Sequence, residues 1–331
     1  MTIASSAPIK SDSLDPSQAH AGQQNEGASG ASDGQRLYAE VARRILQARL
    51  NDVWESLPLA AARWQEDTEH VHQLRVSVRR SAAALRTFYD VLPPKKTKRF
   101  RKSLSGLRQA AGDARDLDVL SLRLRKTPPK RLRKAVRRAL TLIEDQRSAL
   151  QQDFVKAQEE LLQDDVVGQS AELIDRVRWR GDGPEPTFDA AMEVRLKEAV
   201  DCFATAAACK STDIEDLHQL RIRAKHLRYT LELGEEIPRK TDRANLVAQL
   251  KRFQDRLGKL NDLATSQQWF RRLAKRAKKP KQRRQLRDLT RCDKQKMKSQ
   301  IRKFHRWWAG EDGKRLREAL RQFGYSASDR P

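Results

Sequence analysis

Two short sets of residues carry the chemistry this chain is built for. His72, Arg75, Arg79 and Arg86 form one set, with Arg80 beside them; His218, Arg221, Lys225 and Arg228 form the other, with His226 beside them. The spacings are helical. At about 100° per residue, Arg75, Arg79 and Arg86 all fall within roughly 60° of His72. Leu74, Val78, Leu85 and Tyr89 occupy the adjacent sector, as Leu217, Leu220, Leu227 and Leu231 do in the second set. Each cationic stripe therefore borders the apolar face of its helix instead of lying opposite it. A solvated charged face normally carries carboxylates three or four residues from its cations. None lies between His72 and Arg86, and in the second set only Glu232 does so, four residues beyond Arg228. Uncompensated guanidinium groups at the edge of a core fit the recognition of an anion. Arginine presents forked donors that match the oxygens of a phosphate, and histidine adds a donor that gains charge as pH falls.

Other chemistries need residues that the pattern does not supply. A metal site would require carboxylates or cysteines grouped with His72 or His218. His70 and His72 diverge on a helix, and Cys202, Cys209 and Cys292 have no CxxC spacing. The cysteines read as small buried core residues, with no disulfide framework. Acid–base or nucleophilic catalysis requires a partnered group in a shaped pocket, and no motif provides one. The acidic string at Glu66–His70 falls where a helix begins, which capping explains. The reading is of a binding protein without catalytic residues, metal or cofactor.

The two sets belong to an internal repeat. At an offset of 146, "HQLRVSVRR" meets "HQLRIRAKH", and the match runs on through Leu85/Leu231, Leu104/Leu250, Gly112/Gly258, Asp116/Asp262 and Leu117/Leu263. One offset over two helices and two connections points to two similar helical bundles related by a pseudo-two-fold axis. Asp116 and Asp262 follow the matched glycines. A carboxylate at a helix start opposes the macrodipole, so both are expected to cap a helix or hold stripe arginines in position.

The elements that position these residues follow from composition and punctuation. Hydrophobic residues make up 38% and charged residues 34%, with only 14 glycines, which defines an all-α chain. Residues 1–34 lack aliphatic periodicity and read as a disordered tail. Helical periodicity begins near Gln35, giving a first repeat over 35–180, a linker at 181–187, a second repeat over 188–325 and a short tail at 326–331. Breaks are expected at Pro58, Pro93–Pro94, Gly112, Pro128–Pro129 and the "RGDGPEP" run. In the second half, helices are expected at 188–209, 213–236, 240–257, 260–277, 281–309 and 313–323. The formal charge is +24, and a cation of that size generally meets a polyanion. No apolar run approaches the ~18 residues of a membrane span, and the N-terminus lacks an apolar signal core, which implies a cytoplasmic protein without membrane contact.

On these residues the chain resembles the conserved histidine α-helical domain, or CHAD, family. The likeness rests on "HQLRVSVRR" and "HQLRIRAKHLRY", each followed by a leucine-rich helix and a glycine–aspartate pair, and covers about residues 36–325. It implies two helical bundles facing each other across a basic central cavity that binds inorganic polyphosphate, and association with polyphosphate granules. Carried over residue by residue, the cavity positions are His72, Arg75, Arg79, Arg80 and Arg86, and His218, Arg221, Lys225, His226 and Arg228. The family often has arginine where this chain has Ala82, matched with Arg228, so the first half is expected to be the poorer in charge. Some relatives carry a triphosphate tunnel hydrolase domain with an ExExK string. This chain has no such string, and reads as a stand-alone binding module.

A second function class stays open. Residues 271–306 carry 17 Lys/Arg against Asp288 and Asp293, enough for nonspecific nucleic-acid binding. No helix-turn-helix, zinc finger or base-stacking platform accompanies them. Phe304, Trp307 and Trp308 at the end of this run are expected to dock the last helix.

Overall fold

The computed structural model describes residues 36–126, 130–208, 211–235 and 243–321. The expected tails, Pro128–Pro129 and Cys209 lie outside them. Among the described residues the chain is all-α: ten α-helices, two single 3-10 turns and no strand. The helices are α1 (Tyr38–Ala62), α2 (Glu69–Thr87), α3 (Pro94–Arg125), α4 (Arg133–Gln163), α5 (Val166–Asp175), α6 (Phe188–Ala208), α7 (Ile214–Leu233), α8 (Arg243–Arg276), α9 (Pro280–Ala309) and α10 (Glu311–Arg321). None is long and apolar enough to cross a membrane.

Neighbouring helices in sequence pack together, α1 on α2, α2 on α3 and α3 on α4, then α6 on α7, α7 on α8 and α8 on α9. Three apolar cores result. The first joins α1, α2, α5 and the N-terminal part of α3. The second joins α6, α7 and α10 with parts of α8 and α9. The third is shared between the halves: Leu117, Leu120 and Leu124 of α3 and Ile143 of α4 meet Trp269 and Phe270 of α8 and Leu286 and Leu289 of α9. Beside it, Arg123 of α3 donates from Nη1 and Nη2 to Oδ1 and Oδ2 of Asp293 on α9, each at 2.7 Å. The starts of α1 and α6 are tied by Tyr38 N–H to Pro186 O (3.2 Å) and Phe188 N–H to Arg36 O (2.8 Å).

Several sequence expectations change here. Gly112 and Gly258 do not break helices. α3 runs through the first, and α8 runs unbroken where two helices were expected at 240–257 and 260–277. A mid-helix glycine costs only about 1 kcal/mol, and buried Leu250, Phe253, Leu257, Leu260 and Leu263 anchor α8 on both sides of Gly258. Pro58 lies within α1 for the same reason, between buried Leu57 and Ala60. Asp116 and Asp262 are therefore mid-helix, not caps. Cys202 is exposed, not buried. Tyr89, read as part of the apolar face, is 58% exposed, because it falls past the end of α2 in a 3-10 turn, under the Arg195 guanidinium at 4.5 Å. The C-terminal aromatics do dock the last helix. Trp307 Nε1 donates to Asp312 (2.8 Å), Arg317 donates to Trp308 O (2.8 Å), and Phe253 packs edge-on to Trp308 at 5.3 Å.

Candidate functional site

The signature helices are α2 and α7, and they pack against each other. Both are held from behind. Ser81 Oγ donates to Arg49 O on α1 (2.6 Å), and Gln254 Nε2 of α8 donates to Ala224 O on α7 (2.9 Å). Leu74, Val78, Leu85, Leu217, Leu220, Leu227 and Leu231 are all buried, as the wheel implies. The stripes beside them are thereby brought together at the crossing.

One cluster forms from Arg75 and Arg79 of α2 with Arg221, Lys225 and Arg228 of α7, all within electrostatic reach of the Lys225 ammonium. The Nε atoms of Arg79 and Arg221 are buried and make no hydrogen bond among the described residues. Burial lowers the pKa of Arg75 and Arg221, opposed by Asp116 and Asp262 respectively. Arg75 Nη2 lies 3.9 Å from Asp116 Oδ1, so the pairing half of the aspartate expectation holds where the capping half does not. Burial also raises the pKa of Asp262. Lys225 is the most perturbed. Burial first, then Arg221, Arg79, Arg75 and Arg228, push it down to about 6. Bringing like charges together in a partly desolvated place has this effect, and it marks a site of unbalanced charge.

The histidines differ. Burial lowers the pKa of His72, and Arg115, Arg79 and Arg75 add to the shift, against Glu69. The His218 ring Nδ1 lies 3.1 Å from Asn261 Oδ1, at a cavity of about 260 Å³ that Arg221 also lines. His226 belongs to a separate group. Burial, Arg86 and Arg223 lower its pKa, while Arg86 feels Arg101, Arg108 and Arg223 on top of its own desolvation. Arg80 and Arg228 are not uncompensated: both reach Glu232, at 3.4 and 3.2 Å. Sequence distance hid the first of these pairs, since Arg80 and Glu232 lie on different helices.

The residues missed from the sequence are Arg101, Arg108 and Arg115 of α3, and Arg223 of α7. The first three recur every seven residues, so a heptad count of arginines along α3 would have found them. Gly112 lies in the same helix, and a Cβ there would stand 2.7 Å from Arg75 Nη1. The missing side chain lets the Arg75 guanidinium lie across α3. A separate cleft of about 750 Å³ between α8 and α9, lined by Arg271, Lys275, Arg283, Arg287, Arg291 and Lys294, is where much of the basic segment 271–306 gathers. Among the described residues no group of three or more His, Cys, Asp or Glu side chains is placed to hold a metal ion.

These features define a class, an all-helical protein with two signature helices crossing at a cationic cluster. The chain belongs to the CHAD domain family, whose pattern it matches over residues 44–271. Its fold is similar to the crystal structure of the CHAD domain from the plant Ricinus communis, with a TM-score of 0.66 and 22% identity over 89% of this chain and 95% of that one. It is also similar to PptA from Streptomyces chartreusis, with a TM-score of 0.60 and 18% identity over 83% of this chain and all of that one. At these identities the likeness establishes the fold. No curated protein matches the sequence.

Proposed function

We propose that this protein binds inorganic polyphosphate at the α2–α7 crossing without turning it over, and that binding carries it to polyphosphate granules in the cytoplasm. The observation that carries the reading is the cluster of Arg75, Arg79, Arg221 and Lys225, whose buried Nε donors on Arg79 and Arg221 have no acceptor among the described residues. A phosphate chain supplies acceptors at every residue and carries no bases to be read. Fixed arginines then suffice, and helices packed on three cores hold them in place before the ligand arrives. His72, Arg86, His218 and His226 extend the donors on either side, while Arg80 and Arg228 share Glu232 and join when a phosphate displaces it. Family membership supports the same reading.

The α8–α9 cleft favours a second reading, in which that surface binds nucleic acid through backbone charge alone. One experiment separates them. Labelled long-chain polyphosphate is bound at two salt concentrations and challenged with unlabelled polyphosphate and with duplex and single-stranded DNA at matched phosphate. The same titration is run on a variant with Arg75, Arg79, Arg221 and Lys225 changed to Ala. Polyphosphate is expected to win by orders of magnitude and the variant to lose it. Equal competition by DNA with undiminished binding by the variant would move the function to the α8–α9 cleft. Metal-dependent shortening of the chains by purified protein would overturn the non-catalytic part.

A further inference from the structure

The α8–α9 cleft is built separately from the crossing. Its α9 wall carries Arg283, Arg287, Arg291 and Lys294, which fall within about 80° of one another at 100° per residue. Its α8 wall carries Arg271 and Lys275, and the small side chains of Ala274 and Thr290 line it between these cations. Ala274 is buried in the third core, where α8 and α9 pack together, so the walls are fixed to each other. Among the described residues no carboxylate lines the cleft. Arg291 lies 3.2 Å from Asp288, Arg271 donates to Gln267 and Arg283 donates to Ala277 O. Lys275, Arg287 and Lys294 have no hydrogen bond or ion pair among the described residues. The cleft also opens away from the crossing. Asp262 of α8 is within electrostatic reach of Arg221 and Lys225. Arg271 comes nine residues later, about 180° around the helix and roughly 14 Å along it.

We propose that the α8–α9 cleft holds a second stretch of polyphosphate, so that one protein bridges two chains. This rests on the polyphosphate reading of the crossing. Cations on both walls surround a thin polymer of phosphates, and no aromatic ring lines the cleft to stack a base. A duplex, whose major groove alone is about 12 Å wide, meets only the rims of a cavity of about 750 Å³. All six cations are exposed. Salt therefore screens them more than the partly buried arginines at the crossing, and the second chain is held more weakly. The two sites open on opposite sides of α8, so short chains fill them separately. Long chains are tied to one another through the protein. A protein of this kind gathers chains into a granule as well as riding on them.

The test titrates the full chain with short-chain polyphosphate by calorimetry at low salt. Two chains are expected per protein, the second held at least about tenfold more weakly and the first to be lost as salt rises. With Arg271, Lys275, Arg287 and Lys294 changed to Ala, the tight chain should remain and the weak one vanish. The crossing variant, with Arg75, Arg79, Arg221 and Lys225 changed to Ala, should keep only the weak one. A control with Lys95, Lys98, Lys156 and Lys197 changed to Ala, all exposed on α3, α4 and α6, loses the same net charge and should keep both. Energy transfer between donor-labelled and acceptor-labelled long chains reads the bridge, and should need both sites intact. One chain per protein, unaltered in the cleft variant, overturns the inference and leaves the crossing site intact. Equal loss of the weak chain in the control overturns the cleft as its seat. Duplex DNA that displaces the weak chain more readily than polyphosphate does, at matched phosphate, gives the cleft to nucleic acid and also overturns the inference. Full retention of the tight chain by the crossing variant overturns the proposed function instead.

Discussion

The two halves carry nearly the same signature string, yet the helix facing that string differs. Beside α2, the helix α3 presents Arg101, Arg108 and Arg115; at the matched positions α8 carries Val247, Gln254 and Asn261. Val247 packs against the second core, Gln254 is buried against the α7 backbone and Asn261 meets His218. The first half was expected to be the poorer in charge because of Ala82. Its facing helix makes it the richer. A repeated string therefore fixes where a cation stripe sits, and the partner helix fixes how much charge surrounds it.

The largest effect should come from removing that row. Changing Arg101, Arg108 and Arg115 together to Ala should weaken polyphosphate binding on the order of a hundredfold, about 3 kcal/mol, and flatten its salt dependence by about two units of slope. Ala at Val247, Gln254 and Asn261 should leave the salt slope unchanged. An equal loss of slope from both triples would abolish the asymmetry.

Next in size is pH. A bound polyanion raises the depressed pKa of Lys225, so binding takes up a proton above pH 6. Affinity should fall as pH rises from about 6.5 to 8.5, by up to tenfold per unit for one proton. Lys225→Arg should remove most of this dependence, and calorimetry in buffers of different ionisation enthalpy counts the proton directly. For the unliganded protein the sign is opposite. The unfolded chain holds the Lys225 proton up to its ordinary value near 10.4 while the folded chain releases it near 6, so this group's contribution makes stability rise with pH across that window.

Glu232 gives a smaller test. Glu232→Gln frees Arg80 and Arg228 and should raise polyphosphate affinity about threefold to tenfold at low salt, with a fall in melting temperature. Unchanged affinity would remove these two arginines from the site. The smallest and most selective test uses the matched glycines. Gly112→Ala and Gly258→Ala both improve helix propensity by up to about 1 kcal/mol. Only the first meets Arg75, whereas nothing lies within 4 Å of a Cβ at Gly258. Gly112→Ala should therefore lower affinity about threefold without loss of stability, and Gly258→Ala should raise the melting temperature alone. Matching affinities for the two variants would show that Arg75 does not need its place across α3.

Much of this was legible in the sequence because it depends on local period. The stripes, the buried leucines beside them and the helical character of Ala-, Leu- and Arg-rich segments all follow from spacing along one helix. Contacts between helices did not. Glu232 reaches Arg80 across more than 150 residues of chain, and Arg115 faces His72 from the next helix, so neither shows as an i±4 partner. Glycine misled for a related reason. Gly112 and Gly258 look like breaks, but burial on both sides overrides a propensity of about 1 kcal/mol, and the role of Gly112 is seen only once Arg75 lies over it. Tyr89 shows the limit of the wheel, which holds only while the helix continues.

The third core has a consequence for how a ligand can be received. Leu117, Leu120, Trp269 and Phe270 belong to both halves at once, and the Arg123–Asp293 fork lies beside them. A clamshell motion about the 181–187 segment would have to strip those aromatic rings bare and part the fork, so the shared core opposes opening of the halves. Heat should melt the body in one cooperative transition, with equal calorimetric and van't Hoff enthalpies. On the proposed function, a phosphate chain meets a site that is already assembled, so its capture there should show a single bimolecular phase with no slow opening step.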